Sequence, residues 1–365
     1  MQPSANVVFQ NVSKKYGDVV AVNQISLTIE AGNLVTLLGP SGCGKTTTLR
    51  MIAGLEFATS GQLFIGGRDV THVPATDRDV TMVFQSYALF PHMTVLDNVG
   101  YGLTVSNIKK SIVKERAENA LALVGLPGYG QRMPSELSGG QQQRVAVARS
   151  LVLEPQVLLF DEPLSNLDAK LRRKMREDIR DLQQKLAVTA VYVTHDQDEA
   201  LAISDKIVVM DHALVIQEGT PKKLYDEPES IHIAKFIGEA NLIPGNLRHK
   251  DATHGEVVSG ALQFLCEHRG IAEGNVKILI RPQRIQLAKK LENEPVNTGH
   301  ATRNHVSISG NIKKAVYLGH HWEYFVDTEL GELFVSSQAF QNELFPGDAV
   351  VIGINSQSMR ILPSQ

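Results

Sequence analysis

Eight consecutive residues constrain this chain more than any other stretch: Gly39-Pro-Ser-Gly-Cys-Gly-Lys-Thr46. They fit the phosphate-binding pattern of Gly, four residues, then Gly-Lys-Ser/Thr. The apolar run Leu34-Val-Thr-Leu-Leu38 before them reads as a buried strand. Thr46 to Ala53 reads as a helix, with Gly54 just past its end. Gly39, Gly42 and Gly44 let the backbone wrap closely so that amide N–H groups point inward. Pro40, Ser41, Cys43 and Thr47 complete the expected nucleotide-contacting set. The helix N-terminus adds a field that favours anions. Lys45 can reach terminal phosphates, and the Thr46 hydroxyl can ligate Mg²⁺.

A chain of 365 residues suggests two domains and supports a sizeable core. The net charge of -3 gives no support for a nucleic-acid partner. No apolar run approaches the roughly 18–20 residues that cross a bilayer. The start Met1-Gln-Pro-Ser-Ala-Asn6 lacks the features of a signal peptide. Cys43 and Cys266 are expected in different domains, which argues against a disulfide and for a cytosolic chain.

Strands are expected at Val7–Val12, Ile25–Ile29, Gly61–Gly67 and Val80–Phe84. From Gln85 to about Leu153 the character is helical, with Ser111 as a candidate N-cap and Gly125 with Pro127 as a stop. Val157-Leu-Leu-Phe160 is wholly apolar, as a strand buried on both faces requires. Leu171, Met175, Ile179, Leu182 and Leu186 fall on one face of a helix starting near Asp168. Thr189–Val193, Asp196–Ile203 and Lys206–Met210 continue as strand, helix and strand. This alternation predicts an α/β phosphate-loop domain over residues 1–237, with a helical subdomain at about 86–153. Past Gly238 short strands punctuated by Gly, Asn and Pro predict a small all-β domain over 238–365, an OB-like barrel. Lys289 to His305 reads as a polar loop.

Asp161 and Glu162 stand at the carboxyl end of the apolar strand, where phosphate ligands of parallel sheets bind. Asp161 suits Mg²⁺, and Glu162 can polarise an attacking water. Leu137-Ser-Gly-Gly-Gln141 opens a second helix, expected from Gln141 to about Leu153. Ser138 can cap it, and the same free amides of Gly139, Gly140 and Gln141 can instead hold an anion. The chain therefore carries two anion cradles but a single Lys-bearing loop.

These motifs, in this order together with Gln85, Ser165-Asn-Leu-Asp168 and His195, resemble the ATPase subunit of an ATP-binding cassette importer over essentially the whole chain. The resemblance implies ATP bound between two head-to-tail copies, the phosphate loop of one facing Ser138–Gln141 of the other. It implies that Tyr16 stacks on adenine and that Gln85 reaches Mg²⁺ and the attacking water. Glu162 would be the main base, with His195 at the γ-phosphate and Asp168 at the subunit seam. The partners implied are a second copy, two integral-membrane permease subunits and, indirectly, an external solute-binding protein. The location implied is the cytoplasmic face of the inner membrane, as a peripheral subunit. Tyr87-Ala-Leu-Phe-Pro91 is an apolar patch suited to a permease helix.

The second domain resembles the accessory β domain of maltose-, polyamine- and ferric-iron-type importers. Arg281-Pro-Gln-Arg284 carries Gln283 where that family has Glu, and Asp211-His-Ala213 lacks the usual turn Gly. Gln85–His92, Asn98–Leu103 and Ala315–Glu323 look most like ferric-iron-type subunits. Polyamine, phosphonate and sugar or sugar-phosphate uptake are the alternatives. A nucleic-acid-associated cassette and a soluble nucleotide kinase are the readings from other classes. His320-His-Trp322 has no metal-ligand spacing to support it.

Overall fold

The computed structural model describes residues 4–165, 167–260, 262–290, 305–338 and 343–364. It divides into two compact units, Met1–Leu224 and Tyr225–Gln365. That division lies earlier than residue 237 because Arg281 draws the segment after Leu224 onto the second unit. Its guanidinium donates to the carbonyls of Tyr225, Ala234 and Glu239.

The first unit is built on a six-stranded sheet. Its order is Leu214–Gly219, Lys206–Asp211, Leu34–Leu38, Thr189–Thr194, Val157–Asp161, Val80–Val83. All neighbours pair in parallel except the first two, which form an antiparallel hairpin. Side-chain alternation buries both faces. Leu158, Phe160, Ala190 and Tyr192 join one core with the helices Val95–Val105, Lys110–Leu123, Gly139–Leu151 and Ala169–Leu186. Val157, Leu159, Val191 and Val193 join the other, with the helix Lys45–Ala53 and a four-stranded antiparallel sheet. That smaller sheet runs Val19–Ile29, Val7–Tyr16, Ser60–Ile65, Arg68–Asp69. Its first two strands are longer than the apolar pattern alone indicates and meet in a hairpin at Gly17, with Tyr16 paired to Val19.

Two helix starts differ from expectation. Ser111 is not a cap, because the Lys109 carbonyl already accepts from the Ile112 and Val113 N–H groups and pulls Ser111 inside the first turn. The helix expected from Gln141 begins at Gly139, because Gln141 Oε1 turns back to accept from the Ser138 N–H at 2.9 Å.

The second unit holds two five-stranded antiparallel sheets. One runs Leu262–Glu267, His254–Ser259, Asn241–His249, Gly274–Ile280, Arg360–Pro363. The other runs Ile285–Lys289, Ala349–Asn355, His305–Tyr317, Trp322–Thr328, Gly331–Ser337. Inward residues of both, such as Leu247, Ile278, Tyr324 and Ile352, share one core, consistent with an OB-like domain. The expected loop Lys289–His305 lies mostly outside the described residues, and Lys289 ends a strand. Among the described residues, no helix is long and apolar enough to cross a membrane.

Candidate functional site

Parallel register aligns the ends of four neighbouring strands. Leu38 lies opposite Thr194, Asp161 opposite Val193, and Val83 opposite Phe160. The chain therefore leaves the sheet at Gly39, His195, Glu162 and Phe84 along one edge, with Gln85 next after Phe84, although these residues are far apart in sequence.

The phosphate loop fits its surroundings only with glycine at key points. A Cβ at Gly39 would lie 2.1 Å from the Met210 carbonyl oxygen. One at Gly44, whose φ is +105°, would lie 2.4 Å from that of Ala21. Gly44 immediately precedes the helix and offers no side-chain cap, so the first N–H groups stay available to an anion. Lys45 is 5% exposed, and its ammonium donates to the carbonyls of Gly39 and Pro40, each at 2.8 Å. The Cys43 sulfur is its third neighbour at 3.8 Å, and no carboxylate is among these partners. A buried cation held by carbonyls leaves its charge for an incoming phosphate. Cys43 is buried, and burial pushes its thiol above the usual range while the neighbouring Lys45 opposes the shift.

Thr46 Oγ1 donates to Asp161 Oδ1 at 3.3 Å. Burial, aided by the charge of Glu162, raises the Asp161 carboxyl pKa, while Thr46, Arg50 and Lys45 oppose it. A hydroxyl and a partly buried carboxylate are hard oxygen donors that suit Mg²⁺.

Glu162 has φ +44°, in the left-handed region. Its N–H donates to the Val193 carbonyl at 3.1 Å, and its own carbonyl accepts from Ser165 Oγ at 3.1 Å. These bonds on both sides hold a conformation that costs about 1–2 kcal/mol in a non-glycine residue. Glu162 Oε2 stands 3.3 Å from His195 Nδ1. Gln85 Nε2 donates to Ser165 Oγ at 3.1 Å. Ser165 thus joins the loop after Val83 to the backbone of Glu162. Asn166 lies outside the described residues.

Tyr16 is exposed, and slight burial is the largest cause of a rise in the pKa of its hydroxyl, to which Glu56 adds while Lys14 and Thr47 lower it. Lys14 sits 4.8 Å from the ring centroid and pairs with Glu56 at 2.8 Å. The ring stays available for stacking.

The structure does not bring Ser138–Gln141 to these groups. Ser138 and Gly139 are exposed, Gly140 is buried, and the Gln141 amide nitrogen lies 3.4 Å from Tyr129 Oη within the same subdomain. Asp168 is exposed and caps the helix Ala169–Leu186, accepting from the Leu171 N–H at 2.9 Å.

Sequence reasoning missed Arg172. Its Nη1 reaches Asp196 Oδ2 at 3.3 Å, and Nη2 donates to the Leu167 carbonyl at 3.0 Å. Its Nε lies 3.9 Å from Glu199 Oε1. Glu199 is buried, accepts from Tyr192 Oη and Thr194 Oγ1, and has its carboxyl pKa raised by burial. The turn bearing His195 is therefore tied to the segment before Asp168. The one sequence signal was an arginine one helical turn past the cap.

The Tyr87–Pro91 patch is arranged differently from expectation. Tyr87 is buried and Leu89 packs on the core, since an apolar ring and a Leu gain more by burial than by facing water. Ala88 and Phe90 instead join Met82, Phe84, Tyr101 and Leu153 around an open groove of about 400 Å³. Arg149 fixes this turn by donating to the Tyr87 and Ala88 carbonyls.

Comparison with known proteins agrees with this geometry. Residues 22–165 match the ABC transporter family, and residues 278–362 match the TOBE domain. The chain is 55% identical over 357 residues to the Fe(3+) ions import ATP-binding protein FbpC 1 of Rhizobium meliloti (strain 1021), covering 98% of each. It is 28% identical to the solved structure of cbiO1 from Clostridium perfringens, part of the ABC transporter complex cbiONQ. That match has a TM-score of 0.57 and covers 60% of this chain and 90% of that one. The dimeric post-hydrolysis structure of the ATP-binding cassette MJ0796, bound to ADP and Pi, is 32% identical with a TM-score of 0.52. It covers 59% of this chain and 98% of that one. A phosphate loop, a paired carboxylate edge and full-length kinship together place this chain in the ABC transporter family, as an ATP-hydrolysing import cassette followed by a TOBE domain.

Proposed function

We propose that this chain drives ferric-ion import, two copies clasping ATP at the cytoplasmic face of the inner membrane beneath two permease subunits. The phosphate-loop amides and Lys45 bind the β- and γ-phosphates. Tyr16 stacks on the adenine. Thr46 and Asp161 would hold Mg²⁺, with Gln85 approaching it, and the ion would supply charge neutralisation on the phosphates. Glu162 accepts a proton from water as the water oxygen bonds to the γ-phosphorus and the bond to the ADP oxygen breaks. His195, beside Glu162, orients that carboxylate and stabilises charge on the γ-phosphate. Ser138–Gln141 and Asp168 serve the partner copy's nucleotide. The groove around Phe90 receives a permease helix, and Gln85, in the same loop, reports occupancy to it.

The observation that carries this reading is the separation of the two cradles. The phosphate loop shares one sheet edge with Asp161, Glu162 and His195, while the bonds of Ser138–Gln141 stay within their own subdomain. A single nucleotide touching both is met most simply by two copies, and the similar cassette MJ0796 is dimeric in its structure bound to ADP and Pi. The ferric-ion assignment draws on the relative named for Fe(3+) import.

The test has two arms. Glu162→Gln should bind ATP, dimerise and hydrolyse poorly, and a strictly monomeric ATP-loaded variant in the presence of permease would overturn the clasp. Proteoliposomes holding the permease should take up radiolabelled ferric ion with wild-type protein only. Uptake of a polyamine, phosphonate or sugar phosphate in its place would overturn the substrate.

A further inference from the structure

Lys14 is no part of the phosphate loop, yet three groups converge on its ammonium. Nζ stands 2.8 Å from Glu56 Oε2 and donates to the Phe57 carbonyl at 2.9 Å. Its third neighbour is the Tyr16 ring, whose centroid lies 4.8 Å away. The Lys14 side chain is only 13% exposed, so the cation is held against the protein and not left to solvent.

Local structure explains how these groups meet. The strand Val7–Tyr16 slips its register with Val19–Ile29 between Val12 and Lys14, and again between Lys14 and Lys15. Such irregularities re-aim a side chain. On the other side, Gly54 at φ +74° ends the helix Lys45–Ala53, and the N–H groups of Leu55 and Glu56 both donate to the Arg50 carbonyl. A Cβ at Gly54 would lie 2.8 Å from the Ala75 nitrogen, so this sharp turn needs glycine. The turn delivers Glu56 and Phe57 to Lys14. Thr59 closes the arrangement. Its Oγ1 accepts from the Lys15 N–H at 3.0 Å, and its own N–H donates to the Ser13 carbonyl at 2.8 Å. The strand end that carries Tyr16 is thus fastened to the segment that follows the helix bearing Lys45 and Thr46.

An aromatic ring has two faces on which a base can stack. A cation over one face is attracted by the ring quadrupole and withholds that face from a ligand. The opposite face remains, on a ring that is 45% exposed. A ring already fixed loses less rotamer freedom when a base stacks on it, so more of the stacking energy appears as affinity. An ammonium on a flexible four-carbon stem does not stay in one place unaided, and the Glu56 carboxylate with the Phe57 carbonyl supplies the anchor.

We propose that Lys14 is a positioning residue for nucleotide, anchored by Glu56: its ammonium closes one face of Tyr16 and fixes the ring so that the purine stacks on the other. This role rests on the stacking of Tyr16 on adenine proposed above.

Titration calorimetry on the full chain tests it, with ADP and Mg²⁺ and with inorganic tripolyphosphate as a probe that lacks a base. Lys14→Met keeps the stem and removes the charge. It should raise the ADP Kd about fivefold, the scale of a partly exposed cation–π contact, and leave the tripolyphosphate Kd within about twofold of wild type. Retained tripolyphosphate binding also shows that the variant is folded. Lys14→Arg, whose guanidinium can lie over the ring, should recover most of the loss. Glu56→Gln should weaken ADP binding in the same direction. In a Tyr16→Ala background, Lys14→Met should add less than about twofold. Weaker ADP binding by Tyr16→Ala but not by Lys14→Met overturns the role of Lys14 and leaves the stacking intact. Unchanged ADP binding by Tyr16→Ala overturns the stacking, and the role of Lys14 with it. A Lys14→Met loss that extends to tripolyphosphate, or that persists in full without Tyr16, means a direct effect of charge on the phosphates and overturns the positioning role.

Discussion

Arg172 Nη1 lies 3.3 Å from Asp196 Oδ2 while its Nη2 donates to the Leu167 carbonyl, so one side chain joins the turn that carries His195 to the turn that precedes Asp168. A planar fork reaches both partners, and a lysine ammonium does not. Arg172→Ala should lower kcat for ATP about tenfold, the scale expected when a reacting group is misplaced, and change the ATP Kd less than about threefold. Arg172→Lys should recover only part of the loss. Steady-state ATPase assays with nucleotide binding measure this, and an unchanged kcat would show that the link carries no positioning role.

Phe90 lines the open groove and packs on Tyr101 as a tilted ring pair, with centroids 4.7 Å apart and planes at 48°. Phe90→Glu places a charge where an apolar partner must pack. Permease capture by the purified variant should be lost, since an unpaired buried charge at an interface costs several kcal/mol. ATP binding by the isolated chain should persist. Capture at the wild-type level would refute the docking role.

The hairpin between Lys206–Asp211 and Leu214–Gly219 turns through His212 at φ +45° and Ala213 at φ +65°. A left-handed non-glycine residue costs about 1–2 kcal/mol, and the added freedom of glycine in the unfolded chain returns about 0.5–1 kcal/mol of that. Ala213→Gly should therefore stabilise the first unit by about 0.5–1 kcal/mol. Urea denaturation tests the sign, and a destabilised variant would contradict the strain argument.

Asp205 receives Arg180 through two hydrogen bonds and the Leu34 N–H at 2.8 Å. The Arg180 bonds hold its carboxyl below the usual range. A depressed folded pKa contributes stability above the unfolded value of about 3.9, and that contribution disappears as pH falls through the folded value. Asp205→Asn should cost about 1–2 kcal/mol at pH 7, after allowance for partial solvent screening. The gap to wild type should close as pH falls below about 4. A gap independent of pH would mean that the cost is steric and not electrostatic.

The sequence by itself determined the parts whose information is local. The Gly39–Thr46 loop, the wholly apolar Val157–Phe160 strand and the Asp168-capped amphipathic helix each follow from spacing within a few residues, and each stands where expected. The attachment of the segment after Leu224 to the second unit depends on Arg281, more than forty residues later, and no local pattern carries it. Only the tertiary structure decided what is non-local. Parallel register set Glu162 against His195, and the sheet brought Gln85 to Ser165 across eighty residues. Packing buried Tyr87 and left Phe90 at the groove, although both belong to one apolar run. The reason is physical. Helix starts, loop conformations and single-strand burial are set by neighbours along the chain, whereas which side chains meet is set by strand order and register, which no short window encodes.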